Sequence, residues 1–237
     1  MDFAAASAMP WTQMLDAPAP PQRVPFYRMV CEFNLRPDTY LHVTRVPDAW
    51  PAAYRQLTAF GVAGRRLIAR HLLDAAGVAG HYDFNVASPV ARLALLPGAA
   101  LEQLAAYAGL LLHRAWLREA LSVRRVRAEV AARFGADALD LTLERAPAFD
   151  ALGETLEPWR ADPAALPPMI RARGGRLLAD FIAAAGVPVD ARARLKFNRA
   201  IDSQAPYLLN HAQRDMVGEL VFLFLIPERL NAWDWLF

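Results

Sequence analysis

The chain has 237 residues, enough to bury a full core in one large domain or two small ones. Apolar residues make up 55% of it and charged ones 21%, with a mean hydropathy of +0.14, a balance that excludes disorder over most of the length and leaves apolar surface for a partner to cover. The net charge of +2 argues against a generic polyanion binder, and the single cysteine, Cys31, excludes an internal disulfide and a cysteine-based zinc site.

Residues 1–30 hold Pro10, Pro18, Pro20, Pro21 and Pro25 among alanines, which predicts a flexible leader ahead of a domain spanning 31–237. The start, with Asp2 as its first charge, lacks the basic region and unbroken apolar core of a secretory signal, so a cytoplasmic protein is expected. From Phe33 to Trp50 the sequence reads as an extended stretch, a turn at Pro37 and Asp38, a short apolar run over 40–43 and a Pro47-led helical turn. Apolar Val62, Leu67, Ile68, Leu72 and Ala75 recur at helical spacing and predict a helix over 62–76. Ser88 and Pro89 supply a cap and a first-turn proline for a short helix that breaks at Pro97 and Gly98. The helix that follows places Leu101, Leu104, Ala108, Leu111 and Ala115 on a buried stripe, with Gln103, Tyr107, Arg114 and Arg118 opposite. Ser122 is the expected cap of the next helix, with Val123, Val126, Val130 and Phe134 inward and Gly135 as its stop. Further helices are predicted at 137–145, 148–156, 166–185, 191–201 and 211–226.

Strand patterns are weak and no repeat of 20 to 50 residues recurs, so the expected fold is all-α: a single compact multi-helix domain with a joint near 158–168, where four prolines cluster, that can divide it into two helical halves. The most apolar run, 216–226, contains Glu219 and falls well short of the ~20 residues a membrane span needs.

Motifs for nucleotide, hydrolase and zinc-peptidase sites are absent from the sequence. Gly174 and Gly175 have no following lysine for a phosphate and read as a helix irregularity, and the five histidines lack ligand-like pairing, so no catalytic residue, cofactor or metal is expected. Charge is segregated: 114–133 carries net +4, 135–160 net −4 and 171–199 net +5. Neighbouring segments of opposite sign can neutralise each other within the chain or serve as a docking surface. Nucleic acid is disfavoured, because no helix-turn-helix, zinc-finger or RNA-recognition pattern accompanies the arginines. An acidic protein partner or an anionic membrane face would suit the same cations. The candidate contact residues are Arg114, Arg118, Arg124, Arg125 and Arg127, together with Trp233, Trp235 and Phe237 of the aromatic C-terminus, which must either dock on the core or anchor a partner.

Two blocks carry a resemblance. Pro37, Tyr40, Leu41 and His42 fit a P-x-x-Y-L-H pattern, and Leu93, Leu95, Leu96, Leu104, Gly109, Leu110, Leu112 and His113 fit a leucine-rich segment ending in L-x-L-H. In this order they resemble the SctK/YscK family, accessory proteins of the type III secretion sorting platform. The proline-rich leader and Trp-rich end depart from the family pattern. The resemblance implies a non-enzymatic assembly factor at the cytosolic face of the bacterial inner membrane. Its implied partners are the cytosolic domain of the inner-membrane ring protein and the sorting-platform pod protein, and through them the stator and ATPase. Two other readings stay open: a cytosolic secretion chaperone or regulator, and a helical enzyme without a recognisable motif.

Overall fold

The computed structural model describes residues 23–46, 56–149 and 152–237. Among them no strand is present and the α-helices are, in chain order, α1 (Arg23–Leu35), α2 (Gly61–Ala75), α3 (Pro89–Leu93), α4 (Gly98–Leu112), α5 (Arg114–Ala120), α6 (Arg124–Phe134), α7 (Ala136–Asp140), α8 (Leu166–Ile182), α9 (Val187–Arg194), α10 (His211–Gly218) and α11 (Ile226–Arg229). π-helical segments cover Leu141–Arg145 and Glu219–Leu225, and a 3-10 helix at Asn231–Leu236 closes the chain. The fold is all-α, as its sequence pattern predicts.

Helix starts follow local chemistry. The Ser88 hydroxyl accepts from the Ala91 N–H at 3.1 Å and Pro89 occupies the first turn of α3. Pro167 and Pro168 fall in the first turn of α8, where a missing N–H has no helical acceptor to disappoint. Asn210 and Gln213 form a reciprocal capping box on α10. Gly135, at φ +84, ends α6 as expected.

The centre of the molecule is the α4–α8 pair. A Cβ on Gly109 would lie 2.0 Å from the Ile170 carbonyl oxygen, and one on Gly174 would lie 1.9 Å from that of Ala105. Residue numbers rise on one helix as they fall on the other, so the pair is antiparallel, and it can cross this closely only because both positions lack a side chain. Gly174 is therefore not the irregularity its doublet suggests; α8 runs through it unbroken. Around this crossing Leu101, Leu104, Leu110 and Leu111 from α4 and Ile170, Leu177, Leu178 and Ile182 from α8 are at most 1% exposed. Leu156 and Leu166, on either side of the proline-rich segment, belong to the same core cluster.

Several expectations change on contact with tertiary structure. The helix α1 starts at Arg23, inside the stretch read as a leader, with Pro25 tolerated in its first turn, and it carries Phe33 in helical rather than extended backbone. Two 3-10 turns, Pro37–Thr39 and Val43–Arg45, bracket the irregular backbone of 40–42, while the Pro47-led turn lies outside the described residues. Tyr107 is 8% exposed, so α4 is buried nearly all round. Ser122 does not cap α6: its hydroxyl donates to Glu119 O at 2.7 Å, and Val123 is the N-cap. Residues 153–156 are not helical, because their backbone serves distant partners such as the Glu154 N–H, which donates to Leu112 O at 2.7 Å. The helix expected at 191–201 starts earlier, at Val187, and stops at Arg194, where turn-type bonds from Leu195, Lys196 and Phe197 replace the helical ladder.

Candidate partner-binding surfaces

The two motif blocks meet at one buried side chain. Lys196, the only lysine of the chain, is 3% exposed and its Nζ donates to Ala94 O at 2.7 Å, Leu95 O at 3.2 Å and Leu96 O at 2.8 Å. Those are the carbonyls at the end of α3, within the leucine-rich block, where a helix C-terminus favours a cation. The same Nζ lies 5.1 Å from the Phe33 ring centroid and 4.8 Å from that of Tyr40, in the first block. Burial pushes the Lys196 ammonium down to about 7, and burial likewise raises the Tyr40 phenol. His42 completes the join: its N–H donates to Leu195 O at 2.8 Å, its Nδ1 accepts from the Thr44 N–H at 3.1 Å, and its Nε2 is 2.7 Å from Glu102 on α4. With Nδ1 as acceptor, Nε2 carries the hydrogen. The blocks form a structural latch rather than a site.

A second, half-buried network holds the 152–156 segment. Glu154 accepts from Arg173 Nε at 2.9 Å, from Arg173 Nη2 and from the Tyr207 hydroxyl at 2.7 Å, and the guanidinium stacks 4.4 Å from the Tyr207 ring centroid. Burial raises the Glu154 carboxyl, but the hydrogen bonds from Arg173 and Tyr207 outweigh it and hold the group below the usual carboxylate range. His113, 1% exposed, donates from Nδ1 to Glu154 O at 3.2 Å, and burial lowers its pKa. Its Nε2 makes no hydrogen bond and sits 4.0 Å from Glu154 Oε2. His42 and His113 thus act in packing and hydrogen bonding. Among the described residues no group of three His, Cys, Asp or Glu side chains is placed to hold a metal ion.

The candidate arginines divide. Arg114 bridges Leu143 O, Ala146 O and Pro147 O at 2.9 to 3.2 Å, and Arg118 donates to the same Leu143 carbonyl. Both cap the open C-terminal end of the Leu141–Arg145 segment, which is why the chain there turns away from a helix. Arg127 Nε donates to Leu121 O at 2.9 Å. Arg124 and Arg125, in the first turn of α6, are exposed and form no ion pair among the described residues. The opposite-sign segments pair only in part: Arg173 meets Glu154, whereas Arg160 meets Glu157 within its own segment and Arg229, outside all three, reaches Asp137 at 2.5 Å.

The aromatic end folds onto the core. Leu236 is 1% exposed, Phe237 packs 5.2 Å from Phe222 between ring centroids, and Arg92 Nη1 donates to Leu236 O at 3.3 Å. Trp233 and Trp235 are half-buried, 6.3 Å apart, so each keeps part of a ring on the surface.

Fold and surface together define an all-α scaffold whose recognisable motifs serve its own framework. A family model described as YOP proteins translocation protein K (YscK) matches residues 29–225, and the chain belongs to the YscK family. It is thereby a type III secretion protein, a component that works with other parts of the secretion apparatus, and the family is not a known enzyme family. No curated protein and no solved structure matches the chain. Among the described residues no helix is long and apolar enough to cross a membrane.

Proposed function

We propose that this protein is a non-enzymatic cytosolic adaptor of the type III secretion apparatus, bridging the cytosolic domain of the inner-membrane ring protein to the sorting-platform pod protein. The observation that carries the reading is the division of its cations. Arg114, Arg118 and Arg127 are spent on backbone carbonyls within the chain, whereas Arg124 and Arg125 stand exposed on a helix that Val126 and Val130 fix to the core at 1% and 0% exposure. Exposed guanidinium groups on a rigid element favour planar pairing with carboxylates, and rim charges of this kind steer association more than they add affinity. Half-buried Trp233 and Trp235 offer aromatic anchors at a second place on the surface.

The test is capture of the purified ring-protein cytosolic domain and the purified pod protein by this chain. Both should be captured, and Arg124→Glu with Arg125→Glu should weaken one of the two by at least about tenfold while leaving the melting temperature unchanged. Capture of neither, with capture of an exported substrate instead, would replace the adaptor by a chaperone.

A further inference from the structure

The outer side of the α4–α8 pair is not flat. A groove of about 730 Å³ runs along it, floored by small residues such as Ala106 and Ala172 and walled by Tyr107 of α4 and Phe134 of α6. From Ala99 at one end to Leu110 at the other, α4 contributes eleven residues of rise, roughly 16 Å or three helical turns. Because α8 runs antiparallel to α4, Arg171 lies at the Leu110 end, beside Arg133.

The two ends differ in charge. Arg133 and Arg171 are both exposed and neither forms an ion pair among the described residues. Arg171 is nevertheless held in place: its guanidinium stacks 4.9 Å from the Phe134 ring centroid and its Nη2 donates to Arg133 O at 2.8 Å. A cation whose rotamer is already fixed loses little freedom on pairing with an incoming carboxylate. At the far end the lining carboxylate, Glu102, is engaged by His42 at 2.7 Å. The groove thus has an apolar floor at Ala106 and Ala172 between polar margins, with cations at the Arg133–Arg171 end and the Glu102 carboxylate toward the other.

We infer that this groove receives an amphipathic helical segment of a partner protein, about three turns long, with apolar side chains on the Ala106–Ala172 floor and an acidic residue at the Arg133–Arg171 end. Its length suits anchors at i, i+3 or i+4, and i+7, the spacing by which helices seat in apolar grooves. The inference deepens the adaptor reading and rests on it, but its test is separate: a peptide titration can fail while the two secretion components are still captured.

The probe is a synthetic 12-residue amphipathic peptide with leucines at i, i+3, i+4 and i+7 and two aspartates at one end, titrated against the full chain beside the same peptide with lysines replacing the aspartates. The aspartate peptide should bind at least about tenfold more tightly. Arg171→Glu, at an exposed position, should erase or reverse that preference, and Ala106→Trp, which fills the half-exposed floor, should weaken both peptides at an unchanged melting temperature. Equal binding of the two peptides, no binding of either, or a preference indifferent to Arg171→Glu overturns the inference. So does tighter peptide binding by a full chain carrying Trp11→Ala and Leu15→Ala, which would make the chain's own N-terminal segment the occupant. Self-association that Ala106→Trp abolishes would overturn it in favour of a second copy.

Discussion

Replacing Lys196 with methionine tests the latch between the two motif blocks. The substitution keeps an unbranched chain of similar length but leaves the carbonyls of Ala94, Leu95 and Leu96 without the Nζ donor they share. An unpaired buried acceptor costs about 1–3 kcal/mol, and the contacts to the rings of Phe33 and Tyr40 add about 0.5–2 kcal/mol each. Against this stands the relief of no longer burying an ammonium, which is several kcal/mol, so a net loss of about 2–4 kcal/mol is expected near neutral pH. The pH dependence sharpens the test. Burial holds the amine at about 7 in the folded chain against 10.5 when unfolded, so between those values the unfolded chain binds more protons and the wild-type protein gains stability as pH rises. The gain is at most about 1.4 kcal/mol per pH unit, hence about 2–3 kcal/mol between pH 7.5 and 9.5. That window stays below the raised Tyr40 phenol, whose own contribution has the opposite sign. Urea unfolding at both pH values should show the gap between wild type and Lys196→Met widening by that amount. A gap that stays constant, or a variant as stable as the wild type, would refute the reasoning.

Gly174→Ala should cost about 3 kcal/mol or more, because its Cβ would meet backbone, the Ala105 O at 1.9 Å and the Gly109 N at 2.4 Å, whereas Gly175→Ala meets the Ile201 methyl at 3.0 Å and should cost about 1 kcal/mol or less. At roughly 2–4 °C per kcal/mol for a chain of this size, thermal melting separates the two, and equal shifts would contradict the close crossing. His113 should titrate below 6.5 by NMR, since burial lowers it. The unfolded chain then takes up the proton first, so stability from this group is lost as pH falls below 6.5 and His113→Gln should flatten that slope.

Elements governed by local chemistry were legible in the sequence. The cap and proline at Ser88 and Pro89, the stop at Gly135 and the apolar spacing from Val62 each depend on neighbours within a few residues, and each produces the helix expected of it. What depends on distant neighbours was not. Gly174 looked like a flaw in α8 because nothing nearby requires it; its requirement is the backbone of α4, about seventy positions upstream. The helix expected at 148–156 failed because Arg114 and Leu112, from another part of the chain, claim the backbone on either side. The candidate arginines are neighbours in sequence, and only folding distinguishes Arg114, turned onto carbonyls, from Arg124, turned to solvent. One central residue does leave a sequence signal: Lys196 is the only lysine among 26 basic residues, a singular choice where an ammonium, with its three donors converging on adjacent carbonyls, fits and a planar guanidinium does not.

Of the surfaces proposed for partners, the Arg124–Arg125 turn and the groove share one helix. Arg124 and Arg125 open α6, Arg133 and Phe134 close it, and the separation from Arg125 to Arg133 along the axis is about 12 Å. That exceeds the ~8 Å screening length at physiological salt, so a charge change at the exposed first turn has little electrostatic reach to the groove. Mechanically the two ends are not independent, since Val126 and Val130 are the buried side chains that fix the whole helix. An adaptor arranged in this way can evolve the electrostatics of each docking surface separately while holding both at a fixed distance. The physical cost is concentrated at two valines, where a smaller side chain would loosen both surfaces at once.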